Sequence, residues 1–561
     1  MRILCLTRSF NSLTQRLYVE LATRGHEVSV EFDIADSVTE EAVALFAPDL
    51  VVAPFLKRAI PEDVWRRHVC LIVHPGIVGD RGPSALDWAI QEGEAEWGVT
   101  VLQAEAAMDA GPVWASESFP MRAATKSSLY RGEVTEAAVK AVLTAIERFA
   151  SGTFTPQRVA PGAPGVRGRA RPLLRQEARC IDWIGDDTAT VLRKIRAADG
   201  APGVLDALFD VPCFLYDAQQ ASLPAAAAPG TVTARSGRAV LRATRDGAVW
   251  VGHCKRADRD GALKLPVAFA FAVQWQQLHE ADGYAEIRYE ERGPVGVLHF
   301  PFYNGAMSTA QCAELLAAYV EARARPTRVL LLAGGPEFFS NGIHLNVIEA
   351  ADSPADESWR NIVAMDDLCH AVLKTTDSVT VAALQGNAGA GGCFLAFACD
   401  RVWARAGVIL NPHYRNMGNL YGSEYWTYTL PRRVKRGAPR AVMDNRLPVG
   451  ATQAAELGLI DRVIDAGRDA FLRQAIAQAQ ALAESAAFAA LLSAKRAQRA
   501  ADEGQRPLAA YREEELAHMR RNFYGFDPSY HYARSHFVNK VPHAWTPLHL
   551  ALHRRKGTGA V

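Results

Sequence analysis

A glycine-rich turn between two apolar runs constrains the fold of this 561-residue chain more than any other feature. The stretch Gln385–Asp400, QGNAGAGGCFLAFACD, is typical of a strand that enters a tight turn and continues as a buried helix. Gly389, Gly391 and Gly392 let a ligand approach the main chain, and the first N–H groups of the helix lack intrahelical acceptors. The stretch therefore indicates either an oxyanion-binding site or a tight turn in an ordinary α/β core.

The flanking segments resemble the crotonase, or enoyl-CoA hydratase/isomerase, superfamily over roughly residues 287–486. In chain order these segments are TRVLLLAGGPEFFSNGIHL (Thr327–Leu345), DRVWARAGVILNPH (Asp400–His413), LPRRV (Leu430–Val434) and AAELGLIDRVID (Ala454–Asp465). The resemblance implies an α/β domain in which the N–H groups of Ile343 and Gly391 form a hole for a thioester oxygen. Loss of one such donor typically lowers the rate about 100- to 1000-fold.

The two water-handling glutamates of hydratases in that superfamily are missing from this chain. Their positions fall at Phe394 and at His413 or Tyr414. One interpretation is therefore a domain that binds CoA without catalysis. The other rests on the polar and aromatic segment Asn411–Tyr428, where the second catalytic segment of the superfamily belongs. Within it, Tyr414 and Glu424 are the candidates for a proton-transfer pair.

Short β-rich runs alternate with helical stretches over residues 1–149, which predicts a parallel, Rossmann-like sheet covered by helices. Active sites on such sheets lie at the carboxyl ends of strands. The sequence places His74 at one strand end and Asp109 in a turn after the next strand. A His–Asp pair suits general acid/base chemistry, because the carboxylate fixes the imidazole tautomer. The alternatives are a strand-capping histidine and an aspartate suited to its turn.

The same segment resembles the folate-dependent formyltransferases, whose pattern is an asparagine, one residue, His-Pro and a later aspartate before a glycine-containing turn. His74-Pro75 and Asp109-Ala110-Gly111 match this pattern, as do the helical AIQEG and the strand GVTV between them. The asparagine position is Ile72, which removes a side-chain donor for the tetrahedral oxyanion. This departure disfavours an amine as the acceptor of the formyl group.

The formyltransferase resemblance also implies a binding site for N10-formyl-tetrahydrofolate. The loop APFLKRAIP (Ala53–Pro61) resembles the loop whose main chain holds the pterin ring. Folate binding would centre on the Asp109 turn and on three loop residues, Phe55, Leu56 and Lys57. By position, the candidates for anchoring a phosphorylated acceptor are Arg8, Gln15 and Arg131, with solvated surface side chains as the alternative.

A small second domain follows over residues 161–275. The segment Arg175–Asp210 resembles the junction after the catalytic domain of methionyl-tRNA formyltransferases, through Asp182-Trp183, Arg196 and Pro202-Gly203. Short strands continue to about Phe271 and predict an OB-like β-barrel. The Pro/Gly/Ala-rich tracts that predict connectors are Val159–Pro172 and Leu223–Gly230. The predicted parts are residues 1–160, 161–275, 276–510 for the crotonase-like domain, and 511–561 as a helical C-terminal extension.

Composition narrows the functional class. A net charge of +1 and a hydrophobic fraction of 49% argue against nucleic-acid binding and favour an enzyme that acts on small molecules. The nine cysteines show no metal-ligand spacing, which predicts no metal site and fits a reducing cytoplasm. The N-terminal apolar run is too short for a signal peptide, and no run reaches the about 18 apolar residues of a membrane span. We therefore expect a cytoplasmic protein without membrane contact.

A formyltransferase half followed by a crotonase half resembles the HypX (HoxX) family of hydrogenase-maturation proteins. For that family the implied activity is the production of carbon monoxide for the iron of NiFe hydrogenases, from formyl-tetrahydrofolate and CoA, with hydrogenase-maturation proteins as recipients. Two alternatives stay open. One is an amine formyltransferase with a CoA-binding regulatory domain, and the other is a non-catalytic assembly factor that binds folate and CoA.

Overall fold

The computed structural model describes residues 1–160, 162–222 and 227–555. Residue 161 and residues 223–226, which belong to the two predicted connectors, lie outside these described ranges. The chain forms two compact units. The first contains the described residues up to Tyr284 together with residues 542–555, and the second contains Ala285–Val541. The predicted C-terminal extension is therefore divided between the two units.

The first unit opens with a sheet in the order β2-β1-β3-β4-β5-β6. Its strands are β1 (Arg2–Thr7), β2 (Glu27–Phe32), β3 (Leu50–Phe55), β4 (Cys70–His74), β5 (Glu96–Gln103) and β6 (Val113–Pro120). The predicted parallel pairing is correct for β1 to β4 and wrong for β5 and β6, which are antiparallel. Only residues 104–112 join β5 to β6, whereas parallel neighbours need a crossover connection of about a dozen residues or more.

The helices of the first unit pack on this sheet or on a second sheet of the same unit. They are α1 (Ser12–Thr23), α2 (Asp36–Phe46), α3 (Glu62–Trp65), α4 (Ala85–Glu92), α5 (Lys126–Leu129), α6 (Thr135–Ser151), α7 (Gln176–Arg179), α8 (Thr188–Ala198), α9 (Val267–Ala270) and α10 (Ala272–Gln277). A π-helical turn, Tyr130–Val134, lies between α5 and α6. Helix α1 begins after Asn11, whose side chain accepts a hydrogen bond from the Thr14 N–H at 3.0 Å.

The second sheet of this unit has the order β7-β8-β11-β10-β9, with β12 on β11. Its strands are β7 (Val204–Leu208), β8 (Val211–Gln220), β9 (Val232–Ser236), β10 (Ala239–Ala243), β11 (Ala248–Arg256) and β12 (Lys264–Pro266). All of its pairings are antiparallel, as expected for the predicted short strands. Closure into an OB-like barrel stays a prediction.

The second unit contains a larger sheet in the order β13-β14-β16-β19-β21-β24, a sheet β17-β20-β22-β23 and a strand pair β15-β18. The strands are β13 (Arg288–Arg292), β14 (Val295–Phe300), β15 (Ala306–Met307), β16 (Val329–Gly334), β17 (Phe338–Ser340), β18 (Gly342–Ile343), β19 (Val379–Leu384), β20 (Asn387–Gly389), β21 (Arg401–Arg405), β22 (Ile409–Asn411), β23 (Val449–Gly450) and β24 (Arg462–Ile464). From β14 to β24 the larger sheet is parallel.

The helices of the second unit cover these sheets. They are α11 (Thr309–Arg323), α12 (Leu345–Glu349), α13 (Pro354–Leu373), α14 (Gly391–Phe397), α15 (Trp426–Arg433), α16 (Pro439–Asp444), α17 (Ala451–Leu457), α18 (Arg468–Glu484), α19 (Phe488–Gln505), α20 (Leu508–Tyr524) and α21 (Ser529–Val538). The glycine-rich stretch forms β20, a turn and α14, and every residue of α14 is buried. The expected strand, turn and buried helix are thus present.

The helices and the ionisable side chains of the described ranges bear on membrane and metal binding. No single helix in these ranges has the length and apolar composition of a membrane span. Helices α18 and α19 have that length and composition only when taken together, and the angle between them is 89°. No group of His, Cys, Asp and Glu side chains in the same described part is arranged to hold a metal ion.

Candidate active sites

The first candidate site lies where β4 ends. His74 is buried there, and its Nδ1 lies 3.6 Å from Asp109 Oδ2. The structure therefore brings the two predicted residues together, although β5, the strand before Asp109, runs antiparallel to β4. Asp109 has a left-handed backbone (φ 51°) and accepts a hydrogen bond from the Gly82 N–H at 3.1 Å. This turn aims the carboxylate at the imidazole.

A second carboxylate, Asp80, contacts the same imidazole and is absent from the sequence-based set. Its Oδ1 lies 3.0 Å from His74 Nε2, and its Oδ2 accepts a hydrogen bond from Arg171 Nη1 at 2.5 Å. Gly76 makes this contact possible, because a Cβ there would lie 2.4 Å from His74 Nε2. The sequence feature that could have identified Asp80 is its position six residues after His74, at the end of the turn HPGIVGD. His74 therefore lies between two carboxylates.

The predicted folate loop lies at the end of β3. The carbonyl of Phe55 accepts the Arg8 N–H at 2.7 Å, and the Phe55 ring lies 6.4 Å from the ring of Tyr130. Leu56 packs against the apolar core of the first unit, whereas Lys57 is exposed. This loop therefore offers mainly backbone and apolar contacts to a ligand.

The three candidates for a phosphorylated acceptor are half-buried. Arg8 Nη1 donates to the Asp33 carbonyl at 3.2 Å, and Gln15 Nε2 donates to the Phe10 carbonyl at 2.9 Å. Arg131 belongs to the π-helical turn Tyr130–Val134, whose Tyr130 hydroxyl lies 3.4 Å from Asn11 Nδ2. These contacts fix the loop between β1 and α1 beside the folate loop.

The second candidate site surrounds the predicted oxyanion hole in the second unit. Gly342 has a φ of 77°, and a Cβ at this position would lie 3.2 Å from the Gly391 nitrogen. The chain just before Ile343 and the start of α14 therefore lie side by side. Because Gly391 opens α14, its N–H has no acceptor within the helix. Ser340 Oγ fixes the turn by accepting the Gly342 N–H at 3.0 Å.

Tyr414 and Glu424 form a buried hydrogen bond next to this turn. The Tyr414 hydroxyl donates to Glu424 Oε2 at 2.5 Å and contacts the Ser423 carbonyl at 3.1 Å. Glu424 Oε1 lies only 2.2 Å from where a Cβ on Gly391 would stand, so the carboxyl group covers the start of α14. The structure thus places the predicted proton-transfer pair against one predicted oxyanion donor.

Burial controls the ionisation of this pair. It raises the pKa of Glu424, and the charge of nearby Asp366 raises that pKa further. Burial, followed by the charge of Glu424, also raises the pKa of Tyr414 well above its ordinary value. Tyr414 therefore keeps its proton at neutral pH and acts as a donor, and within the pair only Glu424 in its ionised form can accept a proton.

Two further buried carboxylates that sequence reasoning missed hold the backbone around Glu424. Glu424 and Tyr425 have left-handed φ values of 61° and 60°, which are unfavourable for side chains with a Cβ. Asp366 on α13 accepts the Glu424 N–H at 2.7 Å. Glu515 on α20 accepts the N–H groups of Tyr425 and Thr427, each at 2.8 Å. Helix α20 lies largely in the predicted C-terminal extension, which therefore contributes to this site.

Phe394 lies where the resemblance places a water-handling carboxylate. Its side chain is fully buried, and its ring stacks on Tyr414 with centroids 5.4 Å apart and planes 12° apart. The Tyr414 ring packs directly against the backbone of Gly422, where a Cβ would lie only 2.2 Å from that ring. The acid–base pair is therefore bordered by an apolar wall.

Comparison with known proteins identifies three regions by family models. The model described as formyl transferase matches residues 21–146, and the one described as formyl transferase, C-terminal domain, matches residues 173–262. The model described as enoyl-CoA hydratase/isomerase matches residues 297–546. These matches confirm the predicted order of a formyltransferase half before a crotonase half.

Full-length similarity is found as well. Hydrogenase maturation factor HoxX of Bradyrhizobium diazoefficiens is 57% identical over 558 residues, which span 99% of this chain and 97% of that protein. Methionyl-tRNA formyltransferase of Ralstonia nicotianae is 27% identical over 230 residues, 40% of this chain and 68% of that relative. Among solved structures, HypX from Aquifex aeolicus in complex with tetrahydrofolic acid matches with a TM-score of 0.95 and 48% identity, covering 100% of both chains.

Proposed function

The chain belongs to the HoxX/HypX family of hydrogenase maturation factors, and we propose that it serves hydrogenase maturation by producing carbon monoxide in two steps. The first unit transfers a formyl group from N10-formyl-tetrahydrofolate to the thiol of CoA. The second unit then splits formyl-CoA into carbon monoxide and CoA. Hydrogenase-maturation proteins in the cytoplasm receive the product.

The contacts of His74 support the first step. In this step the C–S bond forms as the C–N10 bond of the folate breaks, and the thiol proton passes through His74 to N10. A thiol with a pKa of about 8.5 is mostly protonated at neutral pH, so a base assists its attack. The hydrogen bond from Nε2 to Asp80 holds the His74 ring, and Nδ1, which faces Asp109 at 3.6 Å, takes up the thiol proton. The related HypX structure contains tetrahydrofolic acid, which supports folate as the one-carbon carrier.

The Tyr414–Glu424 pair supports the second step. Here the C–S bond of formyl-CoA breaks, the formyl proton passes to Glu424, and the same proton then goes to the sulfur of CoA. The N–H groups of Ile343 and Gly391 polarise the carbonyl during this change. Tyr414 holds the Glu424 carboxyl by its hydrogen bond at 2.5 Å. Phe394 keeps water from the formyl carbon and thereby prevents hydrolysis of formyl-CoA to formate.

One observation carries the proposal: the buried Tyr414–Glu424 hydrogen bond lies against the start of α14, with an aromatic ring where hydratases place a carboxylate. An acid–base pair without a water-handling partner suits removal of the formyl proton better than hydration. A domain that only binds CoA has no need of such a buried pair.

The test is carbon monoxide release from supplied formyl-CoA by the wild type and by Glu424→Gln, which keeps the shape of the side chain. We expect the substitution to lower the release rate by at least about 100-fold, the scale of a lost general base. Formyl-CoA formation from formyl-tetrahydrofolate should continue in the variant and serves as its control. Wild-type release by Glu424→Gln would overturn the assignment.

A further inference from the structure

Three buried carboxyl groups from different parts of the chain meet beside the second site. Asp366 and Glu515 have no exposed surface, and Glu424 is 1% exposed. A carboxylate taken out of water is costly unless hydrogen bonds and charges compensate it. Clusters of this kind are therefore kept where they serve a site. The mechanism proposed above uses only Glu424.

The contacts of Asp366 concentrate on Glu424 and the residue before it. Asp366 Oδ1 accepts the Glu424 N–H at 2.7 Å, and the Ser423 hydroxyl lies 2.8 Å from both Asp366 oxygens. One cation nearby is Arg512, whose Nε lies 3.9 Å from Asp366 Oδ2 and which also pairs with the more exposed Asp367 at 2.7 Å. Asp366 is therefore a buried acceptor for the backbone turn that presents Glu424.

We propose that Asp366 is a positioning residue of the second site, which holds Glu424 in its left-handed conformation and keeps its carboxyl group beside Gly391. This inference rests on the proposed role of Glu424 as the base. Asp366 acts through Glu424 and has no contact with the reacting atoms in this account. Glu515 supports the same turn from its other side through Tyr425 and Thr427.

The electrostatic direction follows from the groups that face Glu424. They are the Tyr414 hydroxyl, the Cys369 thiol, Asp366 with Ser423, and Glu515 on α20; Arg512, Asp367, Tyr425 and His370 lie around Asp366 and the turn. After burial, the Asp366 charge is the main cause that raises the pKa of Glu424. Removal of that charge should therefore let Glu424 ionise at lower pH.

Asp366→Asn tests this directly, because the amide keeps an acceptor for the Glu424 N–H and removes the charge. The infrared carbonyl band of protonated Glu424 can be isolated by subtracting spectra of the matching Glu424→Gln variants. We expect this band to disappear at a pH lower by about one unit in Asp366→Asn than in the wild type. Carbon monoxide release from formyl-CoA, which needs ionised Glu424, should begin at correspondingly lower pH.

A matched control is Asp502→Asn. Asp502 is also buried and accepts the Tyr428 hydroxyl at 2.7 Å and Arg432 Nε at 3.0 Å, but it belongs to a different hydrogen-bond group. It should lower stability without moving the Glu424 band. Ser423→Ala is a second variant with an intact Asp366. Burial raises the pKa of Asp366, and the hydrogen bond from the Ser423 hydroxyl lowers it. Loss of that hydroxyl should keep Asp366 protonated, and therefore uncharged, to higher pH. The Glu424 band should then shift in the same direction as in Asp366→Asn, by a smaller amount.

An unchanged Glu424 titration in Asp366→Asn, or an equal shift in Asp502→Asn, would overturn the inference. The infrared result does not depend on turnover. If the wild type releases no carbon monoxide from formyl-CoA while the band still shifts as expected, the proposed function fails, whereas the effect of Asp366 on the Glu424 carboxyl group stands.

Discussion

His74 contacts two carboxylates of the first unit, Asp80 at 3.0 Å and Asp109 at 3.6 Å. We predict that His74→Ala lowers formyl-CoA formation from formyl-tetrahydrofolate and CoA by at least about 100-fold, because the thiol loses its base. Carbon monoxide release from supplied formyl-CoA should be retained. Both rates can be measured by chromatography of the CoA species and by trapping of the gas.

The matched control for His74 is His253→Ala. His253 on β11 is also buried and pairs with a carboxylate, since its Nδ1 lies 3.0 Å from Asp217 Oδ2. It lies in the second sheet of the same unit, away from the folate loop, so formyl transfer should persist in this variant. Transfer that survives in His74→Ala, or that is lost equally in both variants, would sink the assignment of His74.

Phe394 provides the second residue-scale prediction. In Phe394→Glu a carboxyl group would stand beside Tyr414, at the position that the resemblance assigns to a water-handling residue. We expect formate to increase at the expense of carbon monoxide, because an ordered water could attack the formyl carbon. Phe394→Leu, which stays apolar, should preserve the product ratio. An unchanged ratio of carbon monoxide to formate in Phe394→Glu would contradict the proposed exclusion of water.

Sequence reasoning found the residues of both candidate sites that lie in local motifs. His74 and Asp109 belong to two short motifs of one spaced pattern, and Tyr414 and Glu424 share one polar segment. Asp366 was not predictable, because it precedes Glu424 by 58 residues in the helix α13, where nothing local distinguishes it. Asp80 lay within a recognised motif, but its contact with His74 depends on the space that Gly76 leaves.

At the scale of elements, β2 is the strand at one end of the first sheet, and the returning C-terminal segment covers its outer edge. The Val30 N–H donates to the Leu550 carbonyl at 3.0 Å, and the Phe32 N–H donates to Thr546 Oγ1 at 2.7 Å. Between them, Glu31 accepts His553 Nε2 at 2.8 Å and Arg554 Nε at 2.7 Å. Such caps satisfy strand edges that would otherwise pair with another chain.

We predict that His553→Ala lowers the free energy of unfolding by about 1–3 kcal/mol, because it removes a partner of the buried Glu31. Amide exchange should accelerate in residues 27–32, measured by mass spectrometry. Leu548→Ala, at an exposed position of the same segment, is the control and should change neither quantity. Unchanged exchange of β2 in His553→Ala would show that the segment does not stabilise this edge.

The pH dependence of this cap has a defined sign. Burial by itself raises the pKa of Glu31, but the hydrogen bonds from His553, Thr546 and Arg554 outweigh it and leave the pKa below its ordinary value. The stabilisation is therefore present above the unfolded-state pKa and lost as the pH falls through the folded-state value. The difference in stability between wild type and His553→Ala should accordingly shrink in acid.

The elements themselves were predictable to different degrees. The strand, turn and helix around Gly391 follow from local apolar runs and glycines, so the sequence was sufficient there. The directions of β5 and β6 were predicted wrongly, because alternation of β-rich and helical runs does not fix which neighbour a strand pairs with. The return of residues 542–555 to the first unit carries no local signal, because it depends on contacts with strands about 500 residues earlier in the chain.

At the scale of the whole molecule, the chain combines a formyltransferase half and a crotonase half in the same order as its HoxX and HypX relatives. Each unit carries its own candidate site, and neither site alone connects a one-carbon folate to carbon monoxide. The order of the two halves was predicted from sequence because each half carries several spaced motifs. We therefore propose that one protein performs both steps.

The most direct test of this claim combines the purified protein, formyl-tetrahydrofolate labelled in the formyl carbon, and CoA. Carbon monoxide in the headspace is trapped on reduced haemoglobin, and formate is measured in parallel. We predict labelled carbon monoxide only when folate and CoA are both present, and its loss in His74→Ala and in Glu424→Gln. Binding of both ligands without labelled carbon monoxide or formate would contradict it and would favour a non-catalytic assembly factor.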